Sequence, residues 1–219
     1  MLNRIARSPI LVRVFPFAVF AALTFVQGRL GETSQYWIYA LKTLVGAGLV
    51  WMARPQVPEA KWEFSWQAVG AGIAVFLLWV GLDDFYPKLA ERSESFNPVG
   101  TYSAASVPAL GFLLVRLLGS ALVVPMVEEV FYRSFLYRYL IRCRFLEVPL
   151  GYFDWKAFFF AGVVFGVSHY EWLAAILCAF IYQGLVCHKG RLGDAITAHG
   201  ITNFLLALWV ISRGAYYFW

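Results

Sequence analysis

Apolar positions gather in long unbroken runs, at Ile10–Val26, Tyr36–Ala53, Trp66–Leu82, Val107–Met126, Lys156–His169, Leu173–Cys187 and Ala195–Ser212. Each is long enough, or nearly so, to cross a hydrocarbon core roughly 30 Å thick. Periodicity does not separate helix from strand inside such runs. Their length, and the lack of ten-residue alternating segments, argue against a transmembrane barrel. The pattern predicts an all-α fold, a polytopic transmembrane helical bundle of about seven spans. No fixed-period repeat or low-complexity tract interrupts it. The clearest break, Asp83 to Ser106 with Pro87, Asn97, Pro98 and Gly100, has a mostly spanning segment on either side. A single membrane domain over residues 1–219 is therefore expected, with candidate chemistry in 107–212.

Charges between the runs set a direction, because cytoplasmic loops carry the excess of Lys and Arg. With the N-terminus inside, Arg4, Arg7, Arg13, Arg54, Lys61, Arg138, Arg142, Arg144, Lys156, Lys189 and Arg191 fall on the cytoplasmic side. Arg29, Lys88, Arg92 and Arg213 fall outside, together with the acidic Asp83, Asp84, Glu91 and Glu94. The basic start resembles a signal peptide, but without a small-residue cleavage site and with six more runs following, it reads as a signal anchor.

Composition agrees with the runs. The chain has 219 residues, 61% of them hydrophobic and only 14% charged, and a mean hydropathy of +0.65. Soluble domains carry about 25% charged residues, so a water-solvated globule is excluded. The net charge of +5 is topological and calls for no nucleic acid. Three cysteines, Cys143, Cys178 and Cys187, show no metal spacing and read as passive apolar residues. The 19% aromatic content suits interfacial belts and lipid contact.

Ionisable side chains inside a span are costly and are functional-site candidates by default. Glu128, Glu129 and Arg133 sit in an apolar helix expected to run from about Val107 to Arg142. His169 ends the fifth run, and His199 and Asn203 lie one turn apart in the last. Counting at 1.5 Å per residue from the interfacial basic residues puts Glu128 about 21 Å deep, His169 about 20 Å, and His199 and Asn203 about 12 and 18 Å. Arg116 comes out at about 39 Å, near the opposite interface, as an interfacial or paired arginine. A kink is expected at Pro125. Polar groups from three helices thus reach overlapping depths.

Three motifs result: Glu-Glu-x-x-x-Arg at Glu128, Glu129 and Arg133, Phe-x-x-x-His at Phe165 and His169, and His-x-x-x-Asn at His199 and Asn203. In this order, on separate spans, they resemble the CAAX prenyl endopeptidase and bacteriocin-processing (CPBP, or ABI) intramembrane proteases. Chain length and aromatic-rich spans further resemble the CAAX-protease-related subgroup that accompanies bacterial exosortase systems. The resemblance implies a membrane endopeptidase whose first glutamate and motif-two histidine activate water, and whose last histidine and asparagine stabilise the oxyanion. It implies a membrane-associated or lipidated peptide substrate and residence in the bacterial inner membrane.

Elementary chemistry permits those roles. Glu128 can accept a proton from a water shared with His169, and His199 and Asn203, at i and i+4, can aim donors at one oxygen. Glu129 stands at i,i+4 to Arg133, as an ion pair that positions the helix. Phe165 is expected to pack beneath the site, His188 to lie at an interface, and Glu171 to cap the hairpin between the fifth and sixth runs. There is no His-Glu-x-x-His, no Gly-x-Ser-Gly and no Gly-x-Gly-Asp. No cofactor is expected, yet Glu128, His169 and His199 could make a His₂Glu zinc shell, so zinc remains the alternative. A transporter or partner-binding scaffold also remains, although no Gly/Pro-broken helices recur in matching halves.

Overall fold

The computed structural model describes residues 8–89 and 96–219. Arg4, Arg7, Glu91, Arg92 and Glu94, to which the charge pattern assigned sides, lie outside the described residues. Among these residues all regular structure is helical. The main helices are α1 (Pro9–Val26), α2 (Ser34–Ala53), α3 (Trp66–Gly81), α4 (Pro98–Tyr102), α5 (Val107–Ile141), α6 (Trp155–Val167), α7 (Trp172–Lys189) and α8 (Gly193–Arg213). Five of them, α1, α2 with its 3-10 extension to Gln56, α5, α7 and α8, are long and apolar enough to cross a membrane; α3 and α6 are shorter apolar helices of 16 and 13 residues.

Boundaries follow local chemistry. Ser8, Ser65, Ser106 and Asp154 each accept a hydrogen bond from a first-turn amide, at Leu11, Ala68, Ala109 and Ala157, satisfying a donor that the helix itself cannot. Pro9 adds a preset φ at the start of α1. At the other end, Gly190 and Gly214 take left-handed φ values of +67° and +66° and stop α7 and α8.

Polar contacts sort the helix ends into two layers. In one, Arg13 of α1 pairs with Glu59 at 2.7 Å, Ser134 of α5 donates to Glu59 at 2.5 Å, and Thr197 of α8 donates to the Glu63 carbonyl at 2.8 Å. In the other, Lys88 pairs with Glu171 at 2.6 Å, Trp172 donates to the Pro87 carbonyl at 2.9 Å, and Tyr36 donates to the Asn97 carbonyl at 2.9 Å. The loop after α3 and the α6–α7 hairpin therefore share one layer, and the α2–α3 loop shares the other with the C-terminal end of α5. Between the layers the outer face is apolar: Leu44, Trp51, Leu77 and Leu114 are all exposed. With the apolar helices, this makes the chain a multi-pass membrane protein.

α5 carries the structural surprise. It is not a plain helix with one proline kink: π-helical segments at Gly119–Val123 and Val130–Leu136 flank the α-helical Val124–Glu129. In the first, the Val124 amide bonds the Gly119 carbonyl five residues back. Pro125 has no amide to offer the next carbonyl in that register, Ser120. At Pro125, where a kink is expected, the helical hydrogen-bond register thus changes.

Candidate active site

α8 packs against α5 at this change of register, and α6 packs against α5 further along, over Val130–Leu136 and Tyr137–Ile141. Gly200 of α8 lies so close to α5 that an added Cβ would stand 2.9 Å from the Ala121 carbonyl, and one on Gly166 would stand 2.2 Å from Ile176 of α7. Small residues here let backbones approach and fix the rings they carry. Asn203 Nδ2 donates to the Ser120 carbonyl at 2.8 Å, taking the acceptor that Pro125 leaves without a ladder partner. The π segment and Asn203 are thus parts of one arrangement, and such segments recur at functional sites.

The side chains of Glu128, His169, His199 and Asn203 all border one cavity of about 410 Å³. Glu128 Oε2 is buried and finds no hydrogen-bond partner among the described residues. A carboxylate oxygen in that condition is short of a donor, and a water or substrate group would supply one.

His169 holds its Nδ1 2.7 Å from the Phe165 carbonyl. A carbonyl only accepts, so Nδ1 carries the proton and Nε2 is left as a lone-pair acceptor. The ring lies 4.4 Å from that of Phe165, which is fully buried beneath it, and Trp79 meets it edge-on at 5.9 Å. Glu171 stands at the N-cap position of α7, in the hairpin as expected, but its side chain bonds no first-turn amide; it is buried and receives Lys88 and Tyr86, at 2.6 and 2.5 Å, fastening the turn that bears His169.

Glu129 has a second partner that spacing along the chain could not show. Its Oε2 lies 3.2 Å from Arg133 Nε, and its Oε1 accepts from His199 Nδ1 at 2.8 Å. Glu129 is completely buried. The carboxylate therefore fixes the His199 ring, which also stacks on Tyr182 at 5.4 Å, and leaves Nε2 as its second functional atom. Arg133 lies 4.6 Å from the Phe165 ring, so all three motifs interlock.

Two further ionisable residues reach the cavity. Lys42 of α2 is only 4% exposed, and Arg116 of α5 is half-buried. Lys42 passed unnoticed in an apolar run, although the rule that flags Glu128 applies equally to it. Arg116 is not paired with a carboxylate among the described residues; it packs over Tyr39, Phe96 and Trp219. His188 is exposed. Cys143, Cys178 and Cys187 are free thiols, Cys178 in the cavity wall. Among the described residues, no group of three or more His, Cys, Asp or Glu is arranged to hold a metal ion.

Residues 110–205, which contain all three motifs, match the family described as type II CAAX prenyl endopeptidase Rce1-like. This stretch belongs to the CAAX protease family. The match indicates a protease, a hydrolase of peptide bonds. Comparisons with curated proteins and with solved structures gave no match.

Proposed function

We propose that this CAAX protease family member works as a glutamate-type endopeptidase, without a metal, on a membrane-associated or lipidated peptide. The observation that carries the reading is that Glu128, His169, His199 and Asn203, from three helices, border one cavity. Glu128 and the Nε2 of His169 hold a water between them, and Glu128 removes its proton as the oxygen attacks the scissile carbonyl. The carbonyl becomes an oxyanion, which takes one hydrogen bond from the second Nδ2 proton of Asn203 and one from Nε2–H of His199. Because Nδ1 of His199 already gives its proton to Glu129, donation from Nε2 as well requires both ring nitrogens to carry a proton during the step. As the amide bond breaks, Glu128 returns its proton to the leaving nitrogen.

The same proposal places the protein in the bacterial inner membrane, N-terminus cytoplasmic, as one domain over residues 1–219. An exosortase-system partner rests on the chain length and the aromatic-rich spans, and exosortase or sorting-signal proteins encoded nearby would support it. Glu128→Gln tests the mechanism. It is nearly isosteric and removes the base, so purified protein should stay folded, retain substrate and lose turnover. Wild-type activity should persist in chelator. Activity retained by Glu128→Gln, or restored only by zinc, would overturn the scheme.

A further inference from the structure

The cavity occupies one half of the bundle. Helices of both directions line it, yet each contributes only the part nearer the layer that holds Lys88, Glu171 and Asn97. On α1 the lining begins at Phe17, one turn beyond Arg13; on α5 it stops at Tyr132, two residues before Ser134; on α8 it begins at His199, two residues beyond Thr197. Arg13, Ser134 and Thr197 make their polar contacts in the opposite layer. There the α2–α3 loop closes the bundle: Val57 and Ala60 are 1% and 6% exposed, and Glu59 between them ties Arg13 to Ser134. The rim is at the other end. Of the residues bordering the cavity, Ala21 and Thr24, in the last two turns of α1, and Ser168, just past the end of α6, are exposed. Basic side chains mark the closed end. Arg142, Arg144, Lys156, Lys189 and Arg191 stand at the helix ends and turns beyond it, whereas at the open end Lys88 is held by Asp83 and Glu171, at 3.3 and 2.6 Å. An excess of Lys and Arg marks the cytoplasmic side, so the open end faces away from it.

Resting on the peptidase reading and its topology, we infer that the enzyme draws its substrate from the external side of the membrane: an exported, membrane-anchored polypeptide, and not one displayed in the cytoplasm. Depth narrows the position of the bond. Glu128 stands about 21 Å from the cytoplasmic interface at Arg142, hence roughly 9 Å beneath the outer boundary of a core about 30 Å thick. At 3.3–3.6 Å each, about three extended residues cover that distance. The bond cleaved therefore lies within about three residues of the point where the substrate leaves the outer leaflet.

The test has two arms. In the first, Val124→Cys, at the cavity wall, is made in the full chain together with Cys178→Ser and Cys187→Ser, and a membrane-impermeant methanethiosulfonate is added to intact spheroplasts or to inside-out vesicles. Native Cys143, an exposed thiol at the closed end, reports sidedness. The thiol introduced by Val124→Cys should react at least about ten-fold faster from outside, and Cys143 only in the vesicles. If Val124→Cys proves unfolded, Thr24→Cys at the rim gives the same comparison. In the second arm, an apolar anchoring helix carries a pool of peptides randomised over about six residues, either at its external or at its cytoplasmic boundary, and is expressed beside wild-type protein or Glu128→Gln. Mass spectrometry should find the external pool alone cut, by the wild type alone, within about three residues of the boundary. Faster reaction from inside, reaction from neither side, Cys143 labelled in intact spheroplasts, or cleavage of the cytoplasmic pool would each overturn the inference. Outward reaction with neither pool cut would instead refute the peptidase reading and leave the outward-facing cavity standing.

Discussion

Glu129 offers the sharpest single test, because its two oxygens join two of the three motifs, through Arg133 and His199. Glu129→Gln keeps the shape and removes the charge. The buried Arg133, whose terminal nitrogens have no hydrogen-bond partner among the described residues, is then left without its counter-charge, and His199 keeps an acceptor but loses its anionic partner. Breaking one side of a buried ion pair commonly costs about 3–5 kcal/mol. For a chain of this size that corresponds to a fall in unfolding temperature of roughly 6–20 °C. Adding Arg133→Gln removes the stranded cation, so the double variant should be more stable than Glu129→Gln alone, a coupling that a double-mutant cycle reads directly. The assay is thermal unfolding in lipid nanodiscs, run beside peptide turnover. Turnover should fall in both variants and not recover in the double, because His199 lacks its anion in each. An unfolding temperature for Glu129→Gln within a degree of wild type, or strictly additive effects in the cycle, would refute the reasoning.

Asn203→Ala removes an oxyanion donor, for which about 10²–10³ in turnover is typical, and frees the Ser120 carbonyl, which costs about 1–3 kcal/mol when buried; loss of rate with no loss of stability would show that the Ser120 carbonyl is satisfied otherwise. Burial raises the pKa of Glu59, but hydrogen bonds from Ser134 and Arg13, with the Arg13 charge, outweigh it and hold the group below its ordinary 4.5. A depressed carboxyl contributes stability above its unfolded pKa and loses it as pH falls through the folded value, so acid titration should unfold the protein more steeply than it does Glu59→Gln, and identical acid limbs would count against the Arg13–Glu59–Ser134 cluster. Reporter fusions after Arg144 and after Glu94 should report cytoplasmic and external sites respectively; the same side for both would sink the topology.

The elements were legible because an apolar run in lipid must satisfy its own backbone, and helix is the local way to do so. For six of the seven runs the predicted and observed ends agree within two residues, from Trp66–Leu82 against Trp66–Gly81 to Ala195–Ser212 against Gly193–Arg213; the run Val107–Met126 stops well short of the helix end at Ile141, because its polar motif breaks the apolar pattern. Five residues at Pro98–Tyr102 were invisible, since a single turn capped by Asn97 has no period to read. Hydrogen-bond register was equally hidden: nothing in the composition of Gly119–Val123 says that its amides reach five residues back. Pro125 was the available clue, but a proline tells only which amide is missing, and the group that replaces it, Asn203, is 78 positions further along the chain. The same limit explains the partial reading of Glu129. Arg133, one turn away, is a neighbour by spacing alone, whereas His199 becomes a neighbour only after α8 has packed against α5 through Gly200. Spacing along one helix thus yields pairs, and close packing between helices turns the pairs into a network. That is why the motif residues could be named from the sequence, while the hydrogen bond that fixes the His199 ring required the fold.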